Sequence, residues 1–152
     1  MRILDKPFGR YLSEANTGVL LLVVVGIVRF LLKPVFQIPY ERGTNFASLT
    51  ILVFLLMVWY SVKAARSAGT YRDVLGIAAA LSLVMALLII ISIAIDDFGG
   101  IDTYYTDAAH GGGGNPLAHM GGHAVGALVF TLALWAIGSV ILRVLGASRK
   151  AA

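Results

Sequence analysis

Apolar residues fall along this chain in four long runs, at positions 15–36, 46–62, 74–95 and 123–142, with short polar segments between them. A helix of about 20 residues, rising about 1.5 Å per residue, is as long as the roughly 30 Å hydrocarbon layer of a bilayer is thick. Helices also satisfy every backbone donor and acceptor internally, which lipid requires. The pattern therefore predicts an all-α polytopic membrane protein, a four-transmembrane-helix up-down bundle. Residues 1–152 read as a single membrane domain, with 96–122 as an external glycine-rich loop. The second run is the shortest, so Thr44–Asn45 and Lys63 should lie near the two interfaces.

The segments between the runs sharpen this outline. Residues 1–14 mix charge, aromatics, Pro7 and Gly9, and predict a short interfacial segment ahead of the first span. Pro34 should end or kink that span, because proline removes a helix hydrogen bond. Residues 37–45 read as a tight external turn, with Thr44 or Asn45 capping the second helix. Trp59 and Tyr60 fall at the second helix's lower interface, where aromatic residues concentrate. The 63–73 connection is short and basic, so the second and third helices should be antiparallel neighbours. The Gly111–Gly114 run is expensive to order and predicts a flexible loop.

Charge assigns the orientation. Arg2, Lys6, Arg10, Lys63, Arg66, Arg72, Arg143, Arg149 and Lys150 fall on one side of the four runs, whereas the other side carries Arg42, Lys33 and most of the acidic residues. Cytoplasmic loops retain Lys and Arg, so both termini should be cytoplasmic. This topology accounts for the net charge of +4 without nucleic acid as a partner. Hydrophobic residues make up 59% of the chain and charged ones 13%, which a water-soluble domain could not hide. The absence of Cys excludes disulfides and thiolate chemistry. Basic residues ahead of an apolar run resemble a signal peptide, but Arg29 and Lys33 stand where a cleavage site should be, so the first span should be retained. Small size and lack of Cys point to a multi-pass protein of a prokaryotic, bacterial inner membrane.

Three constellations bear on chemistry. Arg29 and Lys33 are one helical turn apart on one face. An Arg at membrane depth usually faces a bundle interior or cavity, although it can also snorkel to the headgroups. Asp96, Asp97 and Glu41 are its candidate ion-pair or ligand-binding companions. Second, His119 and His123 stand at i and i+4, so a helix would aim both imidazoles the same way. With Met120, His110 or Asp107 they would make a metal site, His/Met suiting copper and His/carboxylate suiting zinc. Interfacial histidines bonded to water are the plainer account of the same pair. Third, Ala118, Gly122 and Gly126 form a small-residue stripe that allows close helix packing, within the chain or against a second subunit.

No nucleotide loop, Ser–His–Asp set or paired-carboxylate pattern is present, so the chain reads as non-enzymatic. The leading expectation is an accessory or structural subunit, or a self-assembling homo-oligomer, docking on membrane partners in the lipid bilayer. The alternative is a small transporter or ligand-binding protein with an externally open charged site of Arg29, Lys33, Asp96 and Asp97. Third stands zinc or copper binding at His119 and His123.

Overall fold

The computed structural model describes residues 4–110 and 114–150, and among these it is all-helical. Helix α1 (Phe8–Glu14) and α2 (Asn16–Leu31) are followed by short α3 (Tyr40–Phe46), then α4 (Leu49–Arg66), α5 (Tyr71–Gly99) and α6 (Pro116–Lys150). A single 3-10 turn, Ala108–His110, lies between α5 and α6. Three helical stretches are long and apolar enough to cross a membrane, and they number four where the bent α1–α2 pair is counted as one span.

The bend at Ala15 is 75°. It matches the interfacial segment expected before the first span, and polar contacts secure it. Lys6 Nζ reaches Glu14 at 3.0 Å and Asp73 at 2.9 Å, and Arg72 reaches Asp5 at 2.7 Å. These ion pairs tie α1 to the start of α5. There Thr70 caps the helix through a full capping box with Asp73. Residues 37–45 differ from expectation. Most of that turn is the helix α3, and the cap of α4 is Ser48, whose hydroxyl accepts from the Ile51 amide at 3.3 Å.

Helices α2, α4, α5 and α6 pack around a shared core in which Leu22, Val53, Met57, Leu81, Ile93 and Leu134 are fully buried. Lipid is as apolar as these side chains, so close fit rather than removal from water holds such helices together. Small residues supply the fit. A Cβ at Gly18 would lie 3.1 Å from Leu81 and from Tyr60, and Ala78, Ser82 and Ala86 of α5 are all buried. Tyr60 is not a belt residue: it is buried, and its hydroxyl accepts from the Gly18 amide at 3.2 Å. Trp59 beside it is exposed.

Helix α6 is placed by one stripe. Leu134, Gly138 and Leu142 are buried at successive i+4 steps, and the half-buried Ala127, His123 and His119 continue the same face toward the start of the helix. Ala118, Gly122 and Gly126 are one residue further round. All three are exposed, and a Cβ at Gly122 or Gly126 would meet nothing within 4 Å. Close packing of that stripe against another helix of the chain is therefore not what the fold builds. The glycine pressed most tightly into α6's contacts is Gly138.

Candidate metal centre

The C-terminal end of α5 and the N-terminal end of α6 frame the site, and the segment joining them is folded by one buried carboxylate. Helix α5 stops where Gly100 turns left-handed (φ 64°), a conformation that glycine adopts without a side-chain penalty. The chain then doubles back over the helix end. Asp96, 3% exposed, accepts from the Thr103 amide at 3.2 Å, from the Thr103 hydroxyl, and from the Thr106 hydroxyl at 2.7 Å. Charge-assisted bonds of this kind are about twice as strong as neutral ones. Two neighbours of the threonines extend the docking. The Tyr104 hydroxyl donates to the Ile38 carbonyl at 2.6 Å, and Lys33 pairs with Asp102 at 2.5 Å. Thus α2, the start of α3 and α5 together hold the 101–110 segment.

Asp96 accordingly does not pair with Arg29 or Lys33. Arg29 is 7% exposed and donates to the Ala47 carbonyl at 3.1 Å. Its guanidinium carbon also lies 5.8 Å and 5.5 Å from the ring centres of Tyr104 and Tyr105. Cation–π contact with two rings, each worth roughly 0.5–2 kcal/mol, offsets part of its desolvation. It does not snorkel to the headgroups. Lys33 faces Asp102 and, at 3.8 Å, Asp107. Asp97 and Glu41 are exposed, and neither forms an ion pair with Arg29. The charges expected to line an open site are instead split between a closed loop anchor, an aromatic-walled Arg and a surface ion pair.

The histidines come together. One ring nitrogen from each of His110, His119 and His123 lies within 4.8 Å of the other two. His119 Nε2 and His123 Nε2 are 3.3 Å apart, the consequence of i, i+4 spacing on α6. The three ring centres are separated by 5.0 to 5.6 Å. Tetrahedral zinc with Zn–N bonds of about 2.0–2.1 Å sets its ligand nitrogens roughly 3.3 Å apart. The α6 pair already has that separation, and the third nitrogen is at most about 1.5 Å from it on the same scale. His110 comes from the 3-10 turn, which its amide closes onto the Asp107 carbonyl at 2.8 Å.

His110 is poised as a ligand. Its Nε2 is buried and has no hydrogen-bond partner among the described residues. Buried ring nitrogens are nearly always paired, so an orphan one calls for a partner. Burial, followed by the Arg29 guanidinium and the two neighbouring imidazoles, pushes its pKa down to about 4, while Asp107 opposes. The ring is therefore neutral at pH 7, as metal ligation requires. Tyr105 packs edge-on against it at 5.5 Å and Tyr40 stands 6.5 Å away, which fixes its orientation. Two of the other candidates lie beside this set. Met120 packs against the apolar core, and Asp107 serves Lys33 and the turn. A cavity of about 200 Å³ between α4, α5 and α6 reaches His123 and is otherwise lined mainly by apolar residues such as Met85, Ile89 and Phe130.

The depressed His110 pKa has a testable consequence for metal-free protein. Above pH 6.5 the ring is neutral folded or unfolded, and the docked loop carries no penalty. Between 6.5 and about 4 the released ring takes up a proton that the docked one does not, so docking weakens as pH falls through that window. NMR titration of His110 should find its midpoint well below that of an exposed histidine, and protease sensitivity at residues 101–110 should rise over the same interval. A midpoint near 6.5 would contradict the burial of this ring.

The anchoring residues Thr103, Tyr104, Tyr105 and Thr106 were not identifiable as functional from sequence. Their only signal is a polar-aromatic T-Y-Y-T run soon after a helix ending in two aspartates. Gly111–Gly113 of the glycine run lie outside the described residues, and Gly114 is exposed just before α6. No protein-family model, curated protein or solved structure matches the chain.

Proposed function

We propose that this chain is a four-span membrane protein with cytoplasmic termini that binds a divalent transition metal on His110, His119 and His123 at its outer face. The observation that carries this reading is the convergence of one ring nitrogen from each of His110, His119 and His123 to within 4.8 Å, with the α6 pair already at ligand spacing. Three neutral nitrogens leave a fourth position open, the ligand count of a catalytic or exchangeable zinc centre rather than a closed structural one. Zinc and copper(II) are the ions that imidazole favours, and no thioether joins the set to prefer copper(I). Purified protein titrated with zinc and with copper should bind one ion per chain. The His119→Ala, His123→Ala double variant should not, and equal binding by both would remove the centre.

The orientation belongs to the same proposal, since it puts the histidines outside. Reporter fusions after Ala152 and within residues 63–72 should read as cytoplasmic, and one at Gly114 as external. A cytoplasmic signal at Gly114 would invert the bundle and place the metal on the other side.

A second reading, that of a homo-oligomer or partner subunit, draws on α6. Its outer half exposes Leu117, Val125, Leu128 and Val129 around the unoccupied Gly122–Gly126 stripe. A glycine stripe facing away from its own bundle is suited to a helix of another chain. Under this reading Gly122→Leu and Gly126→Leu lower the particle mass in mild detergent and leave monomer stability unchanged.

A further inference from the structure

We propose that the three-histidine centre takes a small anion as its fourth ligand, and that Arg29 supplies the positive field that retains it. The inference rests on the metal reading and extends it to the class of exogenous ligand.

Charge balance carries it. A divalent ion on three neutral imidazoles keeps both its charges, and protein sites of this kind usually neutralise them with a carboxylate. Here the carboxylates are committed elsewhere. Asp96 is buried under the loop with its two threonines, and Asp102 is held by Lys33. Asp107, whose carbonyl accepts from the His110 amide at 2.8 Å, has its carboxylate 3.8 Å from Lys33. On the positive side stands Arg29, buried, hydrogen-bonded to a neutral carbonyl and with no carboxylate at ion-pair distance among the described residues. A guanidinium offers five N–H donors, and a buried cation lacking a counter-charge is costly.

Tyr105 links the two. Its ring centre is 5.5 Å from the Arg29 guanidinium carbon and 5.5 Å from the His110 ring. Through this shared ring the Arg29 guanidinium carbon lies no more than about 11 Å from the His110 ring centre. Loading the metal would therefore place two further positive charges on the far side of the Tyr105 ring from a third that no carboxylate neutralises. Electrostatic attraction for an anion is strongest in such a place. Water is the default occupant, and the metal would favour its hydroxide form. Small monovalent anions compete for the same position.

Cobalt(II) is the probe metal, because its visible spectrum reports both ligand number and exchange at the fourth position. The cobalt-loaded protein in detergent is titrated with azide, alongside Arg29→Gln and Arg29→Lys. The expected result is a saturable spectral change in wild type, at least tenfold weaker azide affinity in Arg29→Gln, and recovery of most of it in Arg29→Lys. Cobalt affinity and helical circular dichroism, measured on the same samples, show whether each variant retains the centre. Cobalt binding with no azide response in wild type overturns the anion site and leaves the metal reading standing, whether or not the variants fold. An azide response that is equal in wild type and a folded Arg29→Gln overturns the role of Arg29. Failure of wild type to bind cobalt removes the metal reading, and this inference with it.

Discussion

Replacing His110 with alanine is expected to reduce zinc affinity at least a hundredfold, and to remove the thermal stabilisation that zinc confers. Two imidazoles on one helix turn are a weak chelate, and the third ligand is what joins α6 to the anchored loop. Loss of an outer-shell partner typically lowers affinity about 10–100-fold, and loss of a direct ligand should exceed that. Metal at 100 times its dissociation constant adds about 2.7 kcal/mol to folded-state stability, an increment that His110→Ala should forfeit at the same concentration. Calorimetric titration and thermal unfolding in detergent, with and without zinc, measure both. Asp96→Asn should fall between wild type and His110→Ala, because it weakens the grip on Thr103 and Thr106 that positions the turn without touching a ligand. A His110→Ala protein that binds zinc as wild type does would reduce the cluster to the α6 pair.

The second large effect is expected at Gly138. A Cβ there would lie 2.6 Å from Met57 Cε and Ser61 Oγ and 2.7 Å from Val74 Cγ1, well inside van der Waals contact. Overpacking a filled core usually costs about 1–3 kcal/mol, so Gly138→Ala should destabilise by that order, and Gly138→Leu should block assembly of α6 on the α4–α5 pair. Gly76→Ala should behave similarly, because its Cβ would meet the Tyr11 ring at 2.5 Å. Gly126→Leu in the monomer is the control, having open space to fill. Unfolding in a denaturant titration ranks the variants. The outcome reaches the metal centre as well, since the face of α6 that buries Gly138 is the face that carries His119 and His123. If Gly138→Leu were as stable as wild type, that rotation of α6 would be wrong and the three histidines would not converge.

Much of the architecture was legible in the chain because lipid imposes a simple rule. Backbone groups must be satisfied within each crossing segment, so length and hydropathy alone pick out the helices, and the bend after an interfacial α1 follows from its mixed composition. Helix spacing likewise placed His119 and His123 on one face, because i and i+4 positions coincide whatever the helix packs against.

Which face turns inward is a different matter. Along α6, the Ala118–Gly122–Gly126 stripe and the His119–His123–Leu134–Gly138–Leu142 stripe are adjacent and equally regular. Hydropathy does not separate core from surface when the solvent is itself apolar. Only packing against α4 and α5 decided it, by fitting Gly138 where no larger residue has room. The fate of the charges was hidden for a related reason. Arg29, Lys33, Asp96, Asp97 and Glu41 all fall near helix ends, and any of several pairings is compatible with their spacing. The left-handed turn at Gly100 brought Thr103 and Thr106 back onto Asp96, left Arg29 between two tyrosine rings, and carried His110 to the α6 pair. Elements with local periodicity, the helices and the i, i+4 histidines, were therefore determined by sequence. The approach of His110 to the α6 pair, the buried Arg without a carboxylate and the packing glycine were decided by tertiary structure, because each depends on contacts between residues far apart in the chain.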